Sequence, residues 1–210
     1  MKREQQFALF LDKKGKVIKA KIERLTEEPI SDKSQIFINI NCIQSGGELV
    51  SYLRLYTVPY ASEKLVLDII YVYSKFRGQG IGKKMFELLP DAVNDLHKTK
   101  LVGAYLPNNY AEDCASGIEF NEKDANVTAS FYKRNGFQLL RAKNIWSNKN
   151  IGLQDFEFGG LSANTIVYLP LPLKQNKYIN YNGFLLHKDD EYKLKEILNK
   201  TSACTQEFEL

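Results

Sequence analysis

The stretch Lys64–Tyr73, KLVLDIIYVY, is almost entirely apolar or β-branched and runs directly into Arg77-Gly78-Gln79-Gly80-Ile81-Gly82. An apolar run of this length, bounded by turn residues, reads as a central strand covered on both faces. The glycines let backbone approach a ligand closely, and the first N–H groups of a following helix point outward unpaired. Ile81, Met85, Leu88, Leu89, Ala92, Val93 and Leu96 then fall on one helical face. Pro90 interrupts that face and predicts a kink or split, because its ring clashes with the preceding turn.

The remaining elements arrange themselves around this unit. Residues 6–12 and 16–23 alternate on either side of Lys13-Lys14-Gly15 and predict a β-hairpin. Ile36–Ile43 and Glu48–Val58 predict two more strands joined through Ser45-Gly46-Gly47. After the central helix come a short strand at Leu101–Leu106, a helix over Asp124–Asn135 stopped by Gly136, and strands at Phe137–Arg141 and Thr165–Leu171. The order is an α+β layout with one crossover unit at its centre. Residues 1–173 read as one domain whose strands within 1–60 are atypical. Residues 174–210 read as a helical extension, with a helix at Asp189–Lys200, that covers the core or joins a homodimer.

Composition excludes more than it assigns. Of 210 residues, 29 are basic and 25 acidic, and a net charge of +4 neither requires nor forbids nucleic acid. Cys42, Cys114 and Cys204 lie far apart, which argues for a reducing compartment rather than a disulfide framework. With His97 and His187 as the only imidazoles, no metal site is expected. No apolar run reaches membrane-spanning length, so a cytoplasmic protein is expected.

The glycine stretch fits neither common nucleotide signature. A Walker loop needs glycine where Arg77 stands and Ser or Thr where Lys84 stands. A dinucleotide fingerprint beginning at Gly78 would place Lys83 at its last glycine. Lys83 and Lys84 also fall in the first helical turn, where cations oppose the helix dipole by about 0.3–1 kcal/mol each. They are either solvated or balanced by an anion such as phosphate.

Arg77, Gly80 and Gly82 fill the pattern Arg/Gln-x-x-Gly-x-Gly/Ala, and IYVYSKFRGQGIGKKMFELL around them closely resembles the acyl-CoA-binding motif of the GNAT superfamily of N-acetyltransferases. Ser130–Phe137, SFYKRNGF, resembles the family's later helix. The resemblance spans about residues 36–173 and implies a mixed, mostly antiparallel central sheet flanked by helices. It implies acetyl-CoA as co-substrate, direct transfer of the acetyl group, and an amine-bearing acceptor on a small molecule or protein.

It also implies roles residue by residue. Backbone N–H groups of Gln79, Gly80, Ile81 and Gly82 hold the pyrophosphate, with Gly78, Arg77 and Lys83 completing the cradle. Val72 offers its backbone N–H to the thioester carbonyl. Tyr132 is the general acid for the departing thiolate. Asp68, four residues before Val72, is the general base, since a carboxylate inside an apolar run is expensive unless paired or functional; Glu63 is its reserve.

This sequence departs from the family in several places. Ala125 and Thr128 stand where relatives carry Asn and Ala, and Asn108 is the substitute cofactor contact. Two helices usual after the first strand are not found between Ile22 and Gln35. An acidic segment, 109–123, appears instead and would form or cover the acceptor side. Two other functions stay open: a toxin-type enzyme acetylating aminoacyl-tRNA, served by Lys13, Lys14, Lys16, Lys19 and Lys21, and a non-catalytic acyl-CoA sensor.

Overall fold

A computed structural model describes residues 1–27, 35–57, 64–96, 100–105, 130–141, 165–173 and 176–202. Glu63, Asn108, the 109–123 segment, the start of the Asp124–Asn135 helix, His97, Cys114 and Cys204 lie outside these residues.

Ten strands form one sheet among the described residues: β1 (Lys2–Leu11), β2 (Val17–Thr26), β3 (Ile36–Gln44), β4 (Glu48–Thr57), β5 (Lys64–Val72), β6 (Lys100–Tyr105), β7 (Gln138–Arg141), β8 (Thr165–Pro170), β9 (Tyr178–Tyr181) and β10 (Phe184–His187). Their order across the sheet is β7-β8-β6-β5-β4-β3-β2-β1-β10-β9. Only β5–β6 and β1–β10 pair in parallel. Parallel neighbours need a long crossover, and the one between β5 and β6 carries helices α1 (Ile81–Glu87) and α2 (Leu89–Val93). Leu88 separates the two, so Pro90 splits the helix as its ring geometry demands. Residues 130–134 form helix α3, and Glu191–Ser202 is α4.

Alternation along the strands decides the two faces. Phe10, Ile18, Ala20, Ile22, Ile38, Ile40, Cys42, Leu53 and Leu55 bury one face against Ile81, Met85, Leu88, Leu89 and Val93. Phe131, Tyr132 and Phe137 close the same layer around Phe86, with ring centroids 5.2–6.4 Å apart. Cys42 lies fully inside this core, and desolvation pushes its thiol up to about 12. On the opposite face a smaller cluster of Leu9, Leu11, Leu186 and Leu194 seats α4 over β1 and β10.

The tail is a correction to the sequence reading. Besides its helix it contributes β9 and β10, and β10 extends the main sheet beside β1, pairing Phe7 with Phe184 and Leu9 with Leu186. It also binds α1. Asp190 Oδ2 accepts from Leu11 N at 2.8 Å and from Lys84 Nζ at 2.5 Å. Lys84 Nζ also donates to Leu11 O at 2.8 Å, and Tyr178 Oη donates to Lys84 O at 2.8 Å. His187, fully buried, places Nε2 3.0 Å from Glu87 Oε2. The anion that balances Lys84 is therefore Asp190, not a phosphate.

A seven-residue helix with no acid in its first turn is weak in isolation, and these contacts fix it. Asp190→Ala strands the Lys84 ammonium and the Leu11 N–H in a largely buried place, so a loss of about 3–5 kcal/mol is expected. Urea unfolding should show a lower midpoint at unchanged slope. A loss below about 1 kcal/mol would mark the pair as a solvated one.

Candidate active site

The glycine loop hangs from the end of β5. A 3₁₀ turn at Ser74–Phe76 buries Phe76 and carries the chain to Gly78 and Gly80, whose φ values are +76° and +83°. Side chains beyond Cα are strained in that region, which explains glycine at both places. Gly80 is the N-cap of α1 and has no side chain to cap it. The N–H groups of Ile81, Gly82 and Lys83 therefore have no capping side chain and are available to an anion. Gly82 answers a different need. A Cβ there would stand 3.4 Å from Val72 Cγ2 and 3.5 Å from the Phe131 ring, so a small residue lets α1 close on β5 and α3.

The hairpin turn between β1 and β2 supports the loop from behind. Asp12 Oδ1 accepts from the N–H groups of Lys14 and Lys16, and Lys13 N donates to Gln79 O at 3.1 Å. The Gln79 side chain turns back to donate to Lys75 O at 3.1 Å. Arg77 Nε donates to Val72 O at 3.0 Å, and its guanidinium lies 5.6 Å from the Tyr71 ring centroid. Arg77 thus braces the end of β5 with Nε. Lys83 is largely exposed, 3.7 Å from Glu87, and lines a groove of about 790 Å³ with Arg134 and Lys177.

The second feature is a parting of strands. β5 pairs with β6 only from Lys64–Leu67 against Lys100–Gly103, while β5 continues to Val72 and β6 to Tyr105. Tyr73 N donates to Val50 O at 3.1 Å on the β4 side. Backbone groups alternate along a strand, so the N–H and C=O of Val72 point away from β4 into the gap. The carbonyl is taken by Arg77, and the N–H faces the opening.

Asp68 occupies the apex of that opening, one residue past the last β5–β6 pair. The β4–β5 register shifts there: Arg54 opposes Ile69, Leu55 opposes Leu67, and Asp68 is the extra residue of a bulge. The bulge turns its carboxylate onto the sheet face opposite α1, 3.2 Å from Arg54 Nη2. This satisfies an acid that the apolar pattern alone would not tolerate. Tyr132 lies on the other face, 6% exposed and walled by Phe86, Phe131 and Phe137. Desolvation pushes its phenol well above the ordinary tyrosine range of about 10. The two residues are therefore not in contact, and the gap between β5 and β6 is what both faces share.

Sequence reading missed Arg54, whose pairing with Asp68 depends on a register shift that no local pattern reports. It also missed the contact of Lys13 with Gln79, made by the turn that Asp12 orders. No group of three or more possible metal ligands occurs among the described residues. No helix among them is long and apolar enough to cross a membrane.

The family profile described as "Acetyltransferase (GNAT) domain" matches residues 32–139, just over half the chain. Comparison with curated proteins gives no match. Among solved structures, a GNAT-family acetyltransferase from Staphylococcus aureus MU50 is 17% identical, with 65% of this chain and 69% of that chain covered and a TM-score of 0.45. A GNAT-family acetyltransferase from Elizabethkingia anophelis with acetyl-CoA bound is 17% identical, covering 65% and 76% at a TM-score of 0.39. Nourseothricin acetyltransferase is 14% identical, covering 81% and 88% at 0.40. The profile match spans β3 to the start of β7 and contains the glycine loop, the strand gap, Asp68 and Tyr132. The chain belongs to the GNAT acetyltransferase family and is an acyl-CoA-dependent N-acetyltransferase.

Proposed function

We propose that the protein transfers the acetyl group of acetyl-CoA to a primary amine by direct attack, with both reactants held across the gap between β5 and β6. The observation that carries this reading is the end of β5–β6 pairing at Leu67 and Gly103, beside an uncapped glycine loop. Proximity of two held reactants is itself worth several kcal/mol of barrier. Acetyl-CoA supplies a thioester, a carbonyl carbon with a good leaving group.

The chain's own groups do the rest. The N–H groups of Gln79, Gly80, Ile81 and Gly82 bind pyrophosphate, with Gly78 shaping the turn and Lys83 adding charge at its edge. Arg77 holds the Val72 carbonyl and so fixes the end of β5, where the Val72 N–H points to the same side by strand alternation. That N–H donates to the thioester carbonyl oxygen as negative charge grows on it. Asp68 accepts a proton from the attacking amine as the N–C bond forms. Tyr132 gives its proton to the sulfur as the C–S bond breaks.

Burial keeps Tyr132 protonated through the neutral range, so its proton is in place when the C–S bond breaks. The sign of the pH dependence follows. The acid form is the active one, and its loss lies above pH 10, so kcat/KM should rise as the amine deprotonates and show no fall below pH 10. Release of free thiol from acetyl-CoA, followed against pH with a primary amine, tests this. A descending limb centred near pH 8–9 would remove Tyr132 from the acid role. Binding of acetyl-CoA without thiol release from any amine would leave only the sensor reading.

A further inference from the structure

The sheet face opposite α1 holds a cavity of about 530 Å³ with Asp68 among its lining residues. The volume falls within the roughly 300–1,000 Å³ range of small-molecule sites. Its walls are ordered by strand register. Leu25, Phe37 and Tyr56 stand opposite one another on β2, β3 and β4 and make one continuous apolar row. One step along the same face, Asn39 stands opposite Arg54. The bulge at Asp68 brings its carboxylate to that polar end, where the β5–β6 gap begins. The apolar row therefore lies between Gln35 on one side and the polar group of Asn39, Arg54 and Asp68, which adjoins the transfer site, on the other.

Charge narrows the choice further. Asp68 is the one carboxylate among the described lining residues, and the Arg54 guanidinium already sits 3.2 Å from it. Of the acids beside the lining residues, Glu23 is bound by Arg3 and Lys21, and the exposed Glu27 carboxylate accepts from Gln35 N at 3.2 Å. Desolvation, with the Asp68 charge second, raises the Tyr56 phenol, which keeps that wall neutral. Asp68 is placed to take the reacting ammonium, with Arg54 beside it. An apolar body would cover the Leu25–Phe37–Tyr56 row, and each buried methylene adds about 0.8 kcal/mol.

We infer that this cavity is the acceptor pocket and that it takes a small primary amine with an apolar, ring-sized body. The inference rests on the acetyl-transfer reading above and names the substrate class of that same site.

Steady-state thiol release tests it with 2-phenylethylamine, ethylamine, spermidine and a lysine-containing peptide as probes. The expected result is a kcat/KM for 2-phenylethylamine at least tenfold above each of the others. Phe37→Ala should raise KM for 2-phenylethylamine about tenfold, leave KM for acetyl-CoA unaltered, and erase the advantage over ethylamine. Phe37→Leu should restore most of it. Preference for spermidine or the peptide, or a Phe37→Ala variant that still prefers 2-phenylethylamine, overturns the pocket assignment and leaves acetyl transfer intact. Failure to bind acetyl-CoA in calorimetry overturns the transfer reading itself, so the two failures are told apart.

Discussion

Tyr132→Phe should lower kcat by about 10²–10⁴-fold while KM for acetyl-CoA changes little. The ring of Tyr132 packs against Phe86, Phe131 and Phe137, and phenylalanine keeps every one of those contacts. What the variant removes is one hydroxyl proton. The fold should therefore survive, and thermal unfolding of the variant should match the wild type within a few degrees. A kcat within threefold of wild type would mean that Tyr132 is only part of the aromatic wall between α1 and β7. The departing thiolate would then take its proton from water.

Gly80→Val should reduce acetyl-CoA affinity by a hundredfold or more in calorimetry, whereas Gly82→Ala should leave it within a few-fold. The two glycines differ in kind. Gly80 sits at φ +83°, where an L side chain costs about 1–2 kcal/mol and a β-branched one more. Relief of that strain would turn the peptide planes on either side, and with them the N–H groups of Gly80 and Ile81. Gly82 has no such backbone demand. A methyl there reaches Val72 and Phe131 at 3.4 and 3.5 Å, ordinary contact distances. Equal tolerance at both places would mean that the loop does not present its backbone to the ligand.

The centre of the fold was legible because its signals are local. The apolar run Leu65–Val72, the glycines after it and Pro90 each act within a few residues, and strand, loop and split helix fall where those residues require. The N-terminal hairpin was legible for the same reason, through alternation around Lys13-Lys14-Gly15. The tail was not. Tyr178–Tyr181 and Phe184–His187 are four residues each, too short to show a period, and β10 gains its place only by pairing with a strand 177 positions earlier in the Phe7–Phe184 register. The partner of Lys84 was out of reach for the same reason, because Asp190 lies 106 residues away. At the site, Asp68 stood out as an acid in an apolar strand. Its partner and its direction come from a bulge, which is a property of two strands together and leaves no mark in either alone.

The position of β1 between β2 and β10 has a consequence for synthesis. The chain is made from its N-terminus, so β1 can pair with β2 early, while its other edge waits for Phe184–His187. At about 5–20 residues per second that wait lasts about 10–35 s. Throughout it, a ten-residue strand containing Phe7, Leu9 and Leu11 presents unpaired backbone to any other nascent chain, the situation that promotes edge-to-edge association. Truncation before β10 would make that state permanent, and aggregation, more than lost chemistry, would be the first thing such a shortened chain displays.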